Sequence, residues 1–168
     1  MQDEIFDAVI VGGGPSGATA AHCLASAGKR VALLDRDGRI KPCGGAVPPR
    51  LVRDYAIPDA LLVAKVRAAR VISPKGAEVE MPIDGGYVGM VDRDTFDEWL
   101  RLRAAEAGAV RFAGTFEALE RDSDGSVHVR YRDKSLGERA HIRTRLVVGA
   151  DGARSTVAAR HLLTGDSG

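Results

Sequence analysis

Residues 7–21 have the sequence Asp-Ala-Val-Ile-Val-Gly-Gly-Gly-Pro-Ser-Gly-Ala-Thr-Ala-Ala, and this stretch decides the fold. The apolar, β-branched run over residues 5–11 predicts a buried strand, because it is too short for a helix. After the glycines, the alanine-rich residues 18–27 predict a helix that ends at Gly28. A strand, a glycine turn and a helix in this order indicate the start of a nucleotide-binding βαβ unit.

Three glycines of the turn, Gly12, Gly14 and Gly17, have the spacing G-x-G-x-x-G. In this motif the first glycine permits a tight turn, the second lets a pyrophosphate approach the backbone, and the third lets the helix pack closely. A second strand over residues 30–34 ends at Asp35, where such sites place an acid that accepts hydrogen bonds from the adenosine ribose. We therefore predict a dinucleotide site rather than an ordinary glycine-rich turn. The motif alone leaves FAD and NAD(P) open.

The composition of the 168 residues limits the function classes. Hydrophobic residues make up 45% of the chain, which is enough for one large domain with a packed core. The 24 Lys and Arg residues balance 23 Asp and Glu residues, which argues against a nucleic-acid or acidic partner. Two cysteines and four scattered histidines predict no metal site. An acidic start and the lack of a long apolar run predict no signal peptide or spanning helix, so we expect a cytoplasmic protein.

Residues 36–50 contain three prolines and three glycines, which predict a kinked loop beside the nucleotide site. Within it, Cys43 precedes Gly44 and Gly45, and glycines permit close approach of a ligand. Cys43 therefore borders the redox centre or is a small apolar residue in a tight loop, and its type leaves both open. The other cysteine, Cys23, lies among alanines of the first helix and is expected in the core.

The sequence of residues 51–91, in the middle of the chain, predicts an antiparallel sheet. Residues 51–63 predict short amphipathic pieces, and residues 66–73 and 77–83 predict a hairpin around a Pro-Lys-Gly turn. A further short strand is predicted over residues 87–91. We interpret residues 51–91 as the beginning of a substrate-covering sheet.

A helix follows this sheet and is predicted to end at Gly108. Asp92 or Asp94 is expected to cap its start, and Trp99 lies in its apolar stripe and is expected in the core. Arg93, at the first turn, either meets a phosphate or is solvated.

The remaining chain predicts a β-meander and a second nucleotide-type turn. A short strand is predicted over residues 109–112, and three antiparallel strands over 115–121, 126–132 and 138–143. A buried strand over residues 146–148 then leads into Gly149-Ala150-Asp151-Gly152 and a helix that starts near residue 155. Because this repeats the arrangement at Gly12, we favour ligand binding at Asp151 over a common Asp-Gly turn.

Together these motifs resemble the p-hydroxybenzoate-hydroxylase-type FAD fold, through the glycine motif with Asp35, Val91-Asp92-Arg93, and residues 149–155. Residues 41–50, Lys-Pro-Cys-Gly-Gly-Ala-Val-Pro-Pro-Arg, resemble the geranylgeranyl reductase family in its chlorophyll and bacteriochlorophyll branch, as do residues 32–40 and 89–93. The resemblance covers about residues 6–159. It implies a Rossmann-like α/β FAD-binding fold of three layers, with a parallel sheet, an antiparallel β-meander and part of a substrate-domain sheet. Residues 1–168 would be the N-terminal portion of that domain. The C-terminal part of the family fold is expected to be absent, so we expect this chain to be inactive as a reductase on its own.

The resemblance also implies FAD at the first site and assigns residues to it. The implied FAD contacts are Gly12, Gly14, Pro15, Ser16, Gly17, Asp35, Arg36, Cys43, Gly44, Gly45, Arg93, Asp151 and Gly152. Of these, the glycine motif would hold the pyrophosphate, and Asp35 the adenosine ribose. Cys43 and the two glycines after it would line the pocket beside the isoalloxazine ring, with Cys43 as the catalytic candidate.

The implied activity is the NADPH- and FAD-dependent reduction of geranylgeranyl-bacteriochlorophyll to phytyl-bacteriochlorophyll, with a prenylated pigment as the small-molecule partner. Other functions stay open: another prenyl-lipid or geranylgeranyl diphosphate reductase, an FAD-dependent aromatic hydroxylase, and an inactive nucleotide-binding fragment. Peripheral contact with a photosynthetic membrane also stays open, and the sequence does not determine the oligomeric state.

Overall fold

The computed structural model describes residues 5–36 and 43–161, which form two compact units. The first contains the described residues up to 36 and from 97 onwards, and the second contains residues 43–96. The strands are β1 Ala8–Val11, β2 Val31–Asp35, β3 Ala46–Val47, β4 Leu62–Val66, β5 Ala68–Ile72, β6 Glu78–Pro82, β7 Val88–Val91, β8 Val110–Arg121, β9 Val127–Asp133, β10 Arg139–Thr144 and β11 Val147–Gly149. The helices are α1 Pro15–Ser26, α2 Pro49–Asp54, α3 Arg93–Glu106 and α4 Thr156–His161.

The first unit is built on a six-stranded sheet in the order β10-β9-β8-β2-β1-β11. Strands β11, β1, β2 and the start of β8 run parallel, and β8, β9 and β10 form an antiparallel meander. Since parallel strands end at the same edge, the turns after β11, β1 and β2 are neighbours. The predicted α/β Rossmann-like class, with its parallel sheet and β-meander, is confirmed.

The core of this unit surrounds β1 and β2, whose residues from Ala8 to Val11 and from Val31 to Leu34 are almost fully buried. Such continuous apolar strands are typical of a parallel sheet that is covered on both faces. Helix α1 contributes Ala18, Ala21 and Ala25 to the buried interior. Small residues on this face let the helix approach the strands closely, as the sequence predicted for the segment after Gly17.

Three predictions of burial were wrong. Cys23 is exposed, because it lies away from the alanine face of α1 that is buried. Trp99 is only half-buried, and the guanidinium of Arg103 lies over its ring, 5.5 Å from the centroid. Leu146 is 52% exposed, and β11 is an edge strand of the sheet whose residues are incompletely covered.

Strand β8 is continuous where the sequence predicted two strands separated near Gly114. It pairs in parallel with β2 as far as Ala113 and antiparallel with β9 from Gly114 onwards. A Cβ added at Gly114 would lie 2.5 Å from the Tyr131 ring, so this glycine makes room for the ring. A glycine inside a strand here marks close packing rather than the end of the strand.

The second unit contains a three-stranded sheet, β3-β7-β4, and the hairpin β5-β6. The hairpin confirms the prediction for residues 66–83, with Val71 opposite Val79. The loop predicted over residues 36–50 includes β3 and the start of α2, which has proline in its first turn, a favoured position. Residues 37–42 of that loop lie outside the described residues. No helix in the described part of the chain is long and apolar enough to cross a bilayer.

Candidate dinucleotide-binding site

Two glycines of the first motif are required by packing within the protein. Gly12 has φ +110°, and its N–H donates to the Leu34 carbonyl at 2.8 Å. A Cβ on Gly12 would collide with the Ala150 carbonyl oxygen, and a Cβ on Gly17 would collide with the Gly12 carbonyl oxygen. Hence Gly12 packs against the turn at residues 149–152. Gly17 allows the start of α1 to pack closely against the backbone of Gly12.

Gly14 is different, because packing does not require it to be glycine. In the described part of the chain, a Cβ added there would meet no heavy atom within 4 Å. Gly14 is the N-cap of α1, with extended backbone at φ −71°, and it is followed by Pro15 at the first helical position. No described side chain caps this helix, and its first turn carries no acidic residue. Uncapped N–H groups at the positive end of a helix, beside open space, suit a pyrophosphate, so FAD fits here.

Asp35 lies against this loop, at the end of β2. Its Oδ1 accepts a hydrogen bond from the Gly13 N–H at 3.0 Å, and its side chain is 26% exposed. A Cβ on Gly13 would lie 2.8 Å from the Asp35 Cβ, so glycine at position 13 lets the acid approach. The structure therefore brings together the glycine motif and the predicted ribose-binding acid. Arg36, the next residue, is exposed.

Arg101 on α3 is part of this arrangement and was missed from the sequence. Its Nη1 donates to the Gly13 carbonyl at 3.1 Å and lies 3.6 Å from Asp35 Oδ2. Its Nε donates to Glu98 at 2.8 Å, and only 11% of the side chain is exposed. A signal was present, because Arg101 lies four residues after Asp97 and three before Ala104, both of which are buried, and so belongs to the core-facing side of α3.

The second glycine turn, at residues 149–152, lies beside the first. The Ala150 N–H donates to the Val11 carbonyl at 2.7 Å, at the ends of β11 and β1. Asp151 accepts from the Ser155 hydroxyl at 2.6 Å and from the Thr156 and Val157 N–H groups at 2.6 and 3.2 Å. The carboxylate therefore caps α4, a role that the sequence analysis did not assign.

The ionisation of Asp151 follows from these bonds. Burial of the carboxyl group favours its neutral form, but the hydrogen bonds from Ser155, Val157 and Thr156 outweigh burial and hold the pKa of Asp151 below its usual value. The neighbouring Gly152 is exposed and has φ +89°. At neutral pH the turn thus carries a fixed negative charge beside the glycine loop.

The other predicted contacts belong to the second unit. Cys43 and Gly44 are exposed, whereas Gly45 is buried at φ +67°, where a Cβ would collide with the Val91 carbonyl oxygen. Arg93 is the first residue of α3 and is half-buried. Asp92 is the cap, since its Oδ1 accepts from the Asp94 N–H at 2.9 Å. The roles of Cys43, Gly44, Gly45 and Arg93 toward a flavin stay predictions.

The histidines of the meander lie in a polar network. Nε2 of His128 is 2.7 Å from Asp122 Oδ2, and the His128 and His141 rings are 4.8 Å apart. His141 is exposed, while only 20% of the His128 side chain is exposed. No group of three or more potential ligands among the described residues is arranged to hold a metal ion.

Two sequence families match the chain. The FAD binding domain family matches residues 52–165, and the NAD(P)-binding Rossmann-like domain family matches residues 10–57. The first match covers more than half of the chain, and the second contains the glycine motif and Asp35.

The chain is also similar to individual reductases. It is 61% identical over 152 residues to a geranylgeranyl diphosphate reductase of Rhodobacter capsulatus, which covers 90% of the chain and 39% of that protein. A chloroplastic geranylgeranyl diphosphate reductase of Oryza sativa is 40% identical, with 89% of the chain and 35% of that protein covered. The crystal structure of a geranylgeranyl bacteriochlorophyll reductase-like protein of Thermoplasma acidophilum superimposes with a TM-score of 0.79 at 25% identity, and covers 89% of the chain and 40% of that protein.

The chain thus spans about two fifths of the length of these relatives. The chain therefore belongs to the FAD binding domain family, and it is similar in sequence to geranylgeranyl diphosphate reductases.

Proposed function

We propose that the protein is a geranylgeranyl reductase that uses FAD and NADPH to reduce geranylgeranyl-bacteriochlorophyll to phytyl-bacteriochlorophyll. The observation that carries the proposal is the glycine loop, which has open space beside Gly14 and a hydrogen bond from the Gly13 N–H to Asp35. This loop occurs in a chain that is 61% identical to a geranylgeranyl diphosphate reductase. The named substrate follows the bacteriochlorophyll reductase-like structural relative.

The chain's own residues would bind and orient the cofactor. The N–H groups of Ser16 and Gly17, in the first turn of α1, would donate to the pyrophosphate, and Asp35 would accept from the adenosine ribose hydroxyls. When bound, FAD supplies hydride transfer, which no side chain of this protein can supply. The protein's contribution is therefore to position the cofactor and the alkene.

Asp35 also favours FAD over NADPH at this site. The carboxylate lies where the adenosine 2′-hydroxyl binds in such folds, so it would repel the 2′-phosphate of NADPH. FAD carries a free 2′-hydroxyl at this position and meets no such repulsion. We therefore assign the loop to FAD and treat NADPH as the soluble reductant that binds elsewhere.

Reduction of an isolated alkene also needs a proton, which is added to the carbon next to the one that receives hydride. Cys43 is our candidate for the residue beside the flavin, because its thiol is exposed and two glycines follow it. A bound water is the alternative proton donor. Each reduced double bond consumes one NADPH and one proton, and it adds two hydrogen atoms to the prenyl chain.

A second candidate function is reduction of free geranylgeranyl diphosphate before it is attached to a pigment. It is favoured by the names of the Rhodobacter and Oryza relatives, both geranylgeranyl diphosphate reductases. The two candidates share the prenyl chain and differ only in the head group.

The test is anaerobic incubation of the purified protein with FAD, NADPH and an equal mixture of the two substrates. Mass spectrometry would then follow the gain of two hydrogens per double bond. We expect the pigment to be reduced first, with NADPH consumed in equal amount to the bonds reduced. Reduction of the diphosphate alone would establish the second candidate. NADPH consumption that requires oxygen and a phenol would instead indicate a hydroxylase.

A further inference from the structure

We propose that Arg101 is a positioning residue for the dinucleotide site, which fixes the Asp35 carboxylate and the Gly13 carbonyl for binding of the adenosine ribose. The inference rests on the proposed FAD site. It concerns a residue two turns along α3 from Arg93, outside the glycine motif and both nucleotide turns.

The contacts of Arg101 hold the glycine loop and Asp35 in position. Its Nη1 hydrogen-bonds the Gly13 carbonyl at 3.1 Å, and Gly13 in turn donates its N–H to Asp35. The distance of 3.6 Å to Asp35 Oδ2 is too long for a good hydrogen bond, so this attraction is between charges. Since only 11% of the Arg101 side chain is exposed, water screens this attraction weakly. The N–H group and the carbonyl of Gly13 are thus both held, one by Asp35 and the other by Arg101.

Glu98 holds the guanidinium of Arg101 in this orientation. It accepts from Arg101 Nε at 2.8 Å, and from both terminal nitrogens of Arg111 at 2.8 and 3.1 Å. Hydrogen bonds from Arg111 and then Arg101 outweigh burial and lower the pKa of Glu98, so it is ionised at neutral pH. The planar fork of an arginine can bond Glu98 and Gly13 at once, which a lysine cannot do.

Arg111 provides a matched control. Both arginines pair with Glu98, but among the described residues Arg111 makes no hydrogen bond or ion pair with Gly13 or Asp35. Replacing either arginine by glutamine therefore removes its ion pair with Glu98. Only Arg101→Gln also removes the hydrogen bond to the Gly13 carbonyl and the attraction to Asp35. A merely structural role would give the two variants similar effects on FAD affinity.

The experiment measures the Kd for FAD by flavin fluorescence, and the Tm of the FAD-free protein, for wild type, Arg101→Gln, Arg101→Lys and Arg111→Gln. We expect Arg101→Gln to weaken FAD binding by about tenfold, as for loss of a charge-assisted hydrogen bond. Arg111→Gln should change Kd by less than about twofold, within the range of a surface ion pair. Arg101→Lys, which keeps the charge and loses the fork, should fall between wild type and Arg101→Gln.

A double-mutant cycle tests whether Arg101 acts through Asp35. In an Asp35→Asn background, Arg101→Gln should weaken FAD binding much less than it does in wild type, because coupled residues are not additive. Equal weakening in both backgrounds, or an unchanged Kd for Arg101→Gln, would overturn the proposal. If Arg101→Gln does not fold, an unchanged Kd for Arg101→Lys overturns it. Failure of wild type to bind FAD would instead refute the proposed function.

Discussion

Substitution of Gly14 by serine should weaken FAD binding without harming the fold. The backbone of Gly14 has φ −71°, which any residue adopts, and the space beside it is open. Serine is a better N-cap than glycine by a few tenths of a kcal/mol. It also lowers the conformational entropy of the unfolded chain, which stabilises the folded protein by about 0.4–1 kcal/mol. We therefore expect Gly14→Ser to leave the Tm unchanged or to raise it by up to about 4 °C.

The same side chain would occupy the space through which a pyrophosphate approaches the α1 N–H groups. Loss of one hydrogen bond to a charged phosphate costs about 1.5–3 kcal/mol, which weakens FAD binding by about 10- to 150-fold. Stability and affinity should thus change in opposite directions. Few substitutions produce that combination unless the position serves the ligand alone.

Gly17→Ala is the matched control, because its added Cβ collides with the backbone of Gly12. Overpacking costs about 1–3 kcal/mol, and we expect the upper end because a backbone carbonyl cannot rotate away. The Tm should fall by about 6–12 °C. Calorimetry of the FAD-free proteins and a flavin fluorescence titration measure both quantities. If Gly14→Ser binds FAD as wild type does, or loses stability as Gly17→Ala does, our distinction between the two glycines is wrong.

Three further predictions concern the other turns. Asp151→Asn should lower the Tm by up to about 4 °C at pH 7, because asparagine keeps an acceptor oxygen for the α4 N–H groups but loses the negative charge at the positive end of the helix. The pKa of Asp151 is lowered in the folded protein, so the carboxylate's advantage is present above its ordinary pKa of about 4 and is lost as the pH falls through the lowered value, where thermal melts of the two proteins should converge. Gly45→Ala should destabilise by about 1–3 kcal/mol, since a Cβ at its positive φ collides with the Val91 carbonyl, and an unchanged urea midpoint would contradict this. Cys43→Ser should retain FAD and slow alkene reduction, and equal turnover in anaerobic assays would remove Cys43 from the mechanism.

The local features of the fold were predictable from the sequence, because they depend on short-range patterns. The parallel core strands, α1 and the β5-β6 hairpin follow from apolar runs and turn residues near to them in the chain. The continuity of β8 was not predictable, since Gly114 looks like a break until the Tyr131 ring is placed against it. Burial was also misjudged where a helix face or a sheet edge decides it, as at Cys23.

The candidate site divides in the same way. The two glycine turns and Asp35 could be predicted because each depends on a short pattern of a strand, a turn and a helix in the chain. Arg101 was missed because its partner Gly13 is 88 residues away in the chain. The capping of α4 by Asp151 was also missed. An Asp-Gly sequence predicts a turn, but it does not indicate that the carboxylate accepts hydrogen bonds from Ser155 and Thr156.

A crystal structure of the protein with FAD bound tests the central claim most directly. Our account predicts that the FAD pyrophosphate lies within hydrogen-bond distance, about 2.7–3.2 Å, of N–H groups in the first turn of α1 beside Gly14. It also predicts that an adenosine ribose hydroxyl donates to the Asp35 carboxylate. An FAD molecule bound away from Gly14, or with its ribose turned from Asp35, would contradict the account.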